Sequence, residues 1–337
     1  MVRVSGIGSW PGTDSRGAQR AIRDLLADLH EDGFAGMPYL PELPTRGPGA
    51  DMVGRSAHLL VDLPVDLQAR GWRLVERPGL DATRAASLWR EDLDEAAEVF
   101  DGWDGEFKVQ VVGPWTLASE VWLPLADRVL SDTGAIGDLT ASLAAGVAEH
   151  VEALQRLLPT ASLVVQLDEP SLPRVLRGQV PSDSGYRRLP APDPEHATDA
   201  LKTVLDSATR AGAVGTVLHC CANRPPLRVM REARPGGISV DVTGLDARAW
   251  EGLATAIESG VSLWAGALDS DSDPAAYRKA HDDLVARWRE VGLPIARLAD
   301  LSVTPTCGLA GTSPDEATAL TRAVVRLGRD LAETAAS

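Results

Sequence analysis

Short runs of apolar and β-branched residues alternate along the chain with longer segments in which apolar residues recur every three or four positions. The first pattern is typical of buried strands and the second of amphipathic helices. Eight of the short runs end in glycine, proline or a polar side chain, and a helix or a long loop is predicted after each. These eight strand ends lie near Gly8, Met37, Val112, Leu167, Leu218, Val240, Ala267 and Val303.

Strands that alternate with helices predict a parallel sheet, and eight of them predict an α/β fold of the (β/α)₈ TIM barrel type. We expect one barrel domain over residues 1–337. A doubly wound open sheet is the alternative, but no Gly-x-Gly-x-x-Gly turn or phosphate-binding loop follows a predicted strand. In a barrel, functional side chains collect at the carboxyl ends of the strands.

The segment at about 38–100 is predicted to leave the barrel as an excursion of loop and helices. Its first part, Pro38–Gly49, holds four prolines and two glycines, which argues against regular structure and predicts an ordered loop or a mobile lid. Helical patterning follows over 51–69, with an interruption at Pro64, and again over 81–100.

The predicted fifth strand ends in soft metal-ligand residues. Because alternate side chains of a strand point the same way, His219 and Cys221 are expected to face one side and Cys220 the other. Cys307 follows the last predicted strand. Imidazole and thiolate are ligands that zinc prefers, so these residues are a candidate metal site. The alternative is core packing, since free cysteine is among the most buried residue types.

Composition narrows the classes of partner. The formal net charge is −15 and no dense run of Lys and Arg is present, so nucleic acid and anionic membrane surfaces are poor partners. Three cysteines cannot form a disulfide framework and suit a reducing compartment. No apolar run approaches the roughly 18 residues of a membrane span. We therefore expect a cytoplasmic protein without membrane or nucleic-acid partners.

Five motifs occur in order at the predicted strand ends, and together they resemble the catalytic zinc barrel of the cobalamin-independent methionine synthase family. The resemblance covers nearly the whole chain, although the full enzymes of that family carry a further N-terminal barrel that helps bind folate. The motifs are Gly6–Pro11, Gly113–Thr116, Gln166–Pro170, His219–Cys221 and Thr306–Leu309.

This resemblance implies a Zn²⁺ cofactor that holds homocysteine as its thiolate for methylation to methionine. The family's ligands carry over to His219, Cys221 and Cys307. Its fourth ligand, a glutamate, falls on Asp241, whose shorter side chain departs from the pattern. Ligation by Asp241 and an ordinary carboxylate at a strand end are both open.

For the amino-acid part of homocysteine, the resemblance implies contacts from Ser9, Glu42 and Asp168. The alternatives are that Ser9 binds backbone amides within its loop, and that Asp168 and Glu169 are acidic residues at the start of a helix.

The proton-relay histidine of the family is replaced here by Asp271, in Asp269–Ser272. A carboxylate ordinarily titrates far from neutral pH, so it is a weaker choice for a relay. The histidines at 30, 58, 150 and 196 lie in predicted helices or loops and are expected to be solvated.

The methyl donor and the acceptor remain open at this point. The donor is expected to be a folate or a methyl-corrinoid protein, and the acceptor homocysteine or another thiol of a corrinoid system. A non-catalytic barrel that binds zinc or thiols is the further alternative, favoured by the missing relay histidine. A related barrel of the porphyrinogen decarboxylase type would not need the His-x-Cys and Cys set.

Overall fold

Eight parallel strands form the centre of the fold. The computed structural model describes residues 1–31, 33–125 and 127–337, without the side chains of residues 30, 31 and 274. The strands follow one another around the sheet in the order β2-β1-β8-β7-β6-β5-β4-β3. They are β1 Val2–Val4, β2 Phe34–Gly36, β3 Glu106–Val112, β4 Ser162–Asp168, β5 Gly215–Cys220, β6 Gly237–Asp241, β7 Ser262–Leu268 and β8 Ser302–Pro305.

The sheet closes on itself where the chain leaves β2. Tyr39 forms a parallel bridge with Lys108 of β3. The Lys108 amide donates to the Pro38 carbonyl over 2.9 Å, and the Leu40 amide donates to the Lys108 carbonyl over 3.0 Å. The two outer strands of the order above are thereby joined. The predicted (β/α)₈ barrel is confirmed, and the open sheet is excluded.

Helices surround the barrel, and several of them begin at a residue whose side chain caps the first turn. Ser313 and Glu316 form a capping box at the start of the last helix, and the Asp14 side chain caps the first. No helix in the three described ranges is long and apolar enough to cross a membrane. The helices are α1 Ser15–Leu26, α2 Met52–His58, α3 Leu80–Val99, α4 Pro114–Glu120, α5 Thr133–Leu157, α6 Leu172–Leu176, α7 Pro194–Arg210, α8 Leu227–Glu232, α9 Ala247–Glu258, α10 Tyr277–Glu290 and α11 Pro314–Ala336, with 3₁₀ turns at Pro44–Arg46, Val129–Ser131, Pro274–Ala276 and Ile295–Asp300.

Apolar side chains are buried on both faces of the strands. The outward faces pack against the helices in one continuous core. A separate, smaller cluster of Met37, Val164, Val217 and Trp264 packs together. Cα register pairs Val164 with Gly215 and Gln166 with Val217, so alternate residues of neighbouring strands share this inner face. Unlike the usual apolar interior of such barrels, the inner face becomes polar toward the carboxyl ends.

The helix predicted over 51–69 is wrong in its second half. Helix α2 ends at His58, and Val65–Gln68 pairs with Gly71–Leu74 as an antiparallel hairpin. The local pattern explains this outcome, because apolar Val65 and Leu67 alternate with polar residues at period two. Gly71 adopts a φ of 117°, a conformation that glycine adopts without strain. The predicted helix at 81–100 is confirmed as α3.

The proline-rich loop is ordered and largely buried. Besides the bridge at Tyr39, Glu42 forms a parallel bridge with Ser9, in which the Glu42 amide donates to the Gly8 carbonyl over 3.1 Å. Leu43 is fully buried. The loop therefore extends the strand pairing beyond β2, and it carries Glu42 to the barrel mouth.

Beyond Glu42, the loop is fixed by a buried ionic cluster around Asp92 of α3. Asp92 is fully buried and forms ion pairs with Arg46, from the 3₁₀ turn of the loop, and Arg55, from α2. The Ser15 hydroxyl of α1 donates to the same carboxylate over 2.7 Å. The Arg55 guanidinium also stacks 4.4 Å from the centroid of the Trp89 ring. One carboxylate thus joins three helices to the loop.

His150 of α5 lies beside this cluster and is buried, so the expectation that it is solvated is wrong. Its ring centroid lies 4.7 Å from that of Trp89. Burial, with the nearby charge of Arg55, lowers the pKa of His150 to about 3. Neither ring nitrogen has a hydrogen-bond partner within the described ranges.

Replacement of His150 by phenylalanine is expected to make the protein less sensitive to acid. In the unfolded chain this histidine takes up a proton near pH 6.5, while in the folded chain it stays neutral until about pH 3. Folded stability is therefore lost as the pH falls through this window, by about 2 kcal/mol between pH 7.5 and 5. Urea unfolding at about pH 7.5 and about pH 5 will show a smaller loss in the variant. Equal losses in both proteins would contradict the assignment.

Candidate functional site

The carboxyl ends of the strands bring together residues that are far apart in sequence. Asp168 of β4 stands opposite His219 of β5, and His219 stands opposite Ser239 of β6. Asp241, at the end of β6, stands opposite Gly266 of β7. Together with the Ser9–Glu42 bridge, this register places the predicted site residues around one end of the barrel.

Two predicted metal ligands are in contact. The sulfur atoms of Cys221 and Cys307 lie 3.5 Å apart. Their shared hydrogen bond lowers the pKa of Cys307 to about 6 and, together with burial, raises the pKa of Cys221. Two thiolates on one tetrahedral zinc, each about 2.3 Å from the metal, would lie roughly 3.8 Å apart. The observed separation is close to that spacing.

The third predicted ligand, His219, is buried and has one free nitrogen. Its Nδ1 lies 2.9 Å from the Ser239 hydroxyl, while Nε2 is buried without a partner among the described residues. Burial, reinforced by the charge of Lys108, lowers the pKa of His219 to about 3. The imidazole is therefore neutral at neutral pH, which is the form that binds metals. A hydrogen bond to the other ring nitrogen is the usual way that a metal-binding histidine is oriented.

These donors fit zinc by chemical type, although they do not form a complete cage. Among the side chains that the structure describes, no three histidine, cysteine, aspartate or glutamate residues converge into a metal-holding group. Asp241 is half-buried, and its Oδ1 accepts hydrogen bonds from the amide and hydroxyl of Thr243. Metal binding would have to draw His219 and the cysteine pair together.

Cys220 has a different environment from its neighbours. It is fully buried in the outer core, and burial raises the pKa of its thiol to about 12. The alternation expected for this strand is confirmed, because His219 and Cys220 point to opposite faces. The structure thus separates one packing cysteine from the two at the barrel mouth.

A cluster of buried polar and charged side chains lies beside the candidate ligands. Asp168 and Glu42 are both buried, and so are Lys108 and Gln166. The Gln166 amide donates to Asp168 Oδ1 over 2.7 Å. Burial raises the pKa of Asp168, as does repulsion from Glu42, whereas the ammonium of Lys108 opposes this rise. Burial likewise raises the pKa of Glu42. These two carboxylates are candidates for binding a cationic group.

Ser9 lies between the first and last strand ends. Its hydroxyl oxygen accepts a hydrogen bond from the Ala310 amide over 3.2 Å, and its carbonyl accepts one from the Leu309 amide over 2.9 Å. A Cβ on Gly308 would lie 2.1 Å from the Ser9 hydroxyl oxygen. The hydroxyl keeps its own hydrogen to donate, so Ser9 serves its loop and is still able to bind a ligand.

The acidic residue next to Asp168 is held by the start of α4. Glu169 is fully buried and accepts hydrogen bonds from the amides of Trp115 and Thr116, over 2.9 and 2.8 Å, and from the Thr116 hydroxyl over 2.7 Å. Burial raises the pKa of Glu169 to about 7 against these three bonds. Glu169 thereby ties the Gln166–Pro170 motif to the Gly113–Thr116 motif and fixes the end of β4.

The predicted relay residue, Asp271, lies at the edge of the mouth. It is exposed on the turn after β7, in which the Ser272 amide donates to the Asp269 carbonyl over 3.0 Å. Asp269 is also exposed, and its side chain accepts from the Thr306 hydroxyl over 3.0 Å. Asp269 is therefore the residue of this turn that is tied to the strand end preceding Cys307.

Sequence reasoning missed Lys108, Gln110 and Ser239. The first two alternate with apolar residues along β3 and resemble a solvated face. In a closed barrel that face is the interior, so polar residues on it are buried. The prediction of a closed barrel contains the signal that identifies these residues, because polar residues on the inner face near a carboxyl end are expected to belong to the site.

Comparisons with known proteins identify the fold through a solved structure, not through sequence. No protein-family model matches the chain, and no curated protein matches it in sequence. Among solved structures, the chain resembles a B12-independent methionine synthase from Shewanella sp. W3-18-1 in complex with selenomethionine, with a TM-score of 0.55 and 11% sequence identity. The match covers 98% of this chain and 97% of that chain. At this identity the likeness establishes the barrel fold.

Proposed function

We propose that this chain is a zinc-dependent methyltransferase that accepts the thiol of homocysteine and releases methionine. The observations that carry the proposal are the contact between the sulfur atoms of Cys221 and Cys307 and the buried Nε2 of His219, which has no partner among the described residues. All three residues lie at the end of the barrel that also holds Asp168 and Glu42. The likeness to a methionine synthase structure that holds selenomethionine, the selenium analogue of the product, supports the same chemistry.

Different residues would bind the thiol, the ammonium group and the carboxylate of homocysteine. His219, Cys221, Cys307 and Asp241 would hold zinc, which when bound keeps a coordinated thiol deprotonated and nucleophilic at neutral pH. Asp168 and Glu42 would bind the α-ammonium group of homocysteine with their carboxylate oxygens. The Ser9 hydroxyl, held at the mouth by Ala310, would donate a hydrogen bond to the substrate carboxylate.

Methyl transfer forms a sulfur–carbon bond and breaks the bond between the methyl group and its carrier. A folate carrier leaves a nitrogen that must take up a proton, whereas a corrinoid carrier leaves a reduced metal centre that needs none. Asp271 occupies the relay position as an exposed carboxylate, which is a poor proton donor at neutral pH. This favours a methyl-corrinoid donor over methyltetrahydrofolate.

The test is methyl transfer by the zinc-loaded protein. Homocysteine is incubated with methylcobalamin or with 5-methyltetrahydrofolate, and methionine is measured by mass spectrometry. We expect methionine from methylcobalamin, and zinc K-edge absorption that reports one additional sulfur ligand when homocysteine is added.

The outcomes separate the rival functions. Methylation of other thiols in preference to homocysteine would replace the acceptor and keep the reaction. A protein that binds zinc and homocysteine but yields methionine from neither donor would be a binding module. Absence of any sulfur change at the zinc edge would exclude thiol activation.

A further inference from the structure

A cleft between α2 and α3 has no task in the proposed function. It is bounded by the end of α2, the turn that follows this helix and one face of α3, and its volume is about 480 Å³. Pockets of this size bind small organic molecules. None of the residues that line the cleft belongs to the candidate zinc and homocysteine site, so a ligand here would be recognised separately from the barrel mouth.

Most of the cleft wall is apolar. Leu60 and Leu63 line it from the turn after α2. Ala82 and Ala86 line the opposite side, one helical turn apart on the same face of α3. Leu60 is buried, whereas Leu63 and Ala86 are half-buried. Part of this apolar surface is therefore left for a ligand to cover, and the short alanine side chains leave room for it.

Two basic side chains stand at this cleft without an acidic partner among the described residues. His58 is the last residue of α2 and is half-buried, and Arg90 lies one turn beyond Ala86 on α3. Arg90 Nε donates to the Ala86 carbonyl over 3.1 Å. In the described part of the chain, the terminal nitrogens of Arg90 and both ring nitrogens of His58 have no hydrogen-bond partner. These nitrogens are therefore available to a ligand.

The two basic groups lie close together, and the nearby carboxylate does not neutralise them. Burial lowers the pKa of His58, and so does the charge of Arg90. Asp62 also lines the cleft, but it is exposed on the turn, where it adopts a φ of 57°. The pKa of His58 responds to Arg90 and not to Asp62. One end of the cleft is thus basic, next to an apolar wall.

We propose that this cleft binds a small carboxylic acid with a branched apolar body, whose carboxylate pairs with Arg90 and His58 and whose body packs against the leucines of the turn. A guanidinium donates two parallel hydrogen bonds to one carboxylate. A neutral ligand forgoes this charged contact, and a ligand that carries an ammonium group is repelled by the same two side chains. The selected class is therefore the organic anion with an apolar tail.

The test compares three ligands that share one apolar body, and it needs no zinc. Affinities of the full chain for 4-methylpentanoate, for 4-methylpentanamide and for leucine are measured by calorimetry and by ligand-observed NMR. The amide lacks the charge of the acid, and leucine adds an ammonium group to it. We expect 4-methylpentanoate to bind at least about tenfold more tightly than the amide, the effect of a charged hydrogen bond, and more tightly than leucine.

Variants then assign the binding to the cleft. Arg90→Gln is expected to weaken 4-methylpentanoate binding by about tenfold or more, with the amide affinity within about twofold of wild type. Ala86→Leu fills the cleft without changing any charge and should abolish binding of both ligands. Arg248→Gln is the matched control, because it removes an arginine from an exposed position of α9 and should leave all affinities unchanged.

The pH dependence reports the part that His58 takes. A bound carboxylate favours the protonated imidazole, so the affinity of the wild type for 4-methylpentanoate should rise as the pH falls from about 8 to about 5.5. His58→Gln should remove this rise and keep the preference for the acid over the amide. A rise that persists in His58→Gln would overturn the pairing of the ligand with this histidine.

The other outcomes also decide the matter. Equal affinity for the acid and the amide, or no binding of either, overturns the proposal. Binding that both Arg90→Gln and Ala86→Leu leave unchanged lies elsewhere on the chain and overturns it too. Tighter binding of leucine would overturn the ligand class in favour of an amino acid whose ammonium group pairs with Asp62. If Ala86→Leu does not fold, the exposed substitution Arg90→Gln gives the decision.

Discussion

Replacement of Cys221 by alanine will abolish tight zinc binding, whereas replacement of the adjacent Cys220 will preserve it. Cys221 contacts Cys307 at the barrel mouth, with 3.5 Å between the sulfur atoms, and Cys220 is buried in the outer core. Even groups that only orient zinc ligands change metal affinity by about 10- to 100-fold, so loss of a ligand is expected to exceed about 100-fold. Zinc per chain is measured by elemental analysis after dialysis against a weak chelator.

The two variants control for each other, since they remove the thiols of two adjacent residues at the end of β5. Circular dichroism establishes that each is folded, and Cys307→Ala is expected to behave as Cys221→Ala does. Equal zinc retention by Cys220→Ala and Cys221→Ala, or a wild type that cannot be loaded with zinc, would contradict the metal site. A loss of zinc in Cys220→Ala alone would show that the ligand is Cys220, on the opposite face of the strand from the one proposed.

Replacement of Asp92 by alanine is expected to destabilise the fold by about 3–5 kcal/mol, the usual effect of removing one partner from a buried ion pair. Asp92 is fully buried between Arg46 and Arg55, and its removal leaves both guanidinium groups without their buried counter-charge. Because the loop that carries Glu42 continues into Arg46, homocysteine affinity is expected to fall as well. Urea unfolding and ligand calorimetry measure the two effects.

Glu91→Ala is the matched control, since Glu91 pairs with the same Arg46 from an exposed position. Exposed pairs contribute less than about 1 kcal/mol, so this variant should retain nearly the full free energy of unfolding. A similar loss of stability in both variants would show that the position of the charge does not matter and would contradict the role of the cluster.

The barrel could be predicted because its strands have a simple pattern. Runs such as 163–167 and 215–218 are largely apolar, and each is followed by a residue with a reactive side chain, Asp168 or His219. A parallel sheet places all such strand ends at one edge. The same argument predicts that His219, Asp168 and Cys307 lie at one end of the barrel. Their separations and hydrogen bonds depend on side-chain packing, which a pattern of residue types does not specify.

The sequence predictions that are wrong have identifiable physical causes. Val65 and Leu67 fit a helix or a strand equally well over so short a run, and the hairpin partner at Gly71–Leu74 decides between them. Lys108 and His150 look solvated because both are polar, yet tertiary packing buries them. The positive charge of Lys108 is stabilised by nearby carboxylates, whereas the ring of His150 stays neutral. Neither compensation can be read from neighbouring residues in the sequence.

The arrangement of the site along the chain divides it into two halves. Ser9, Glu42, Lys108 and Asp168 come from the first four strands and their loops, while the candidate zinc ligands come from the last four. If the chain has the proposed function, substitutions in the first half are therefore expected to change which thiol is accepted without removing a candidate zinc ligand. New acceptor specificities are best sought by randomising the amino-terminal half-barrel alone, with the carboxyl-terminal half kept as a constant reactive module.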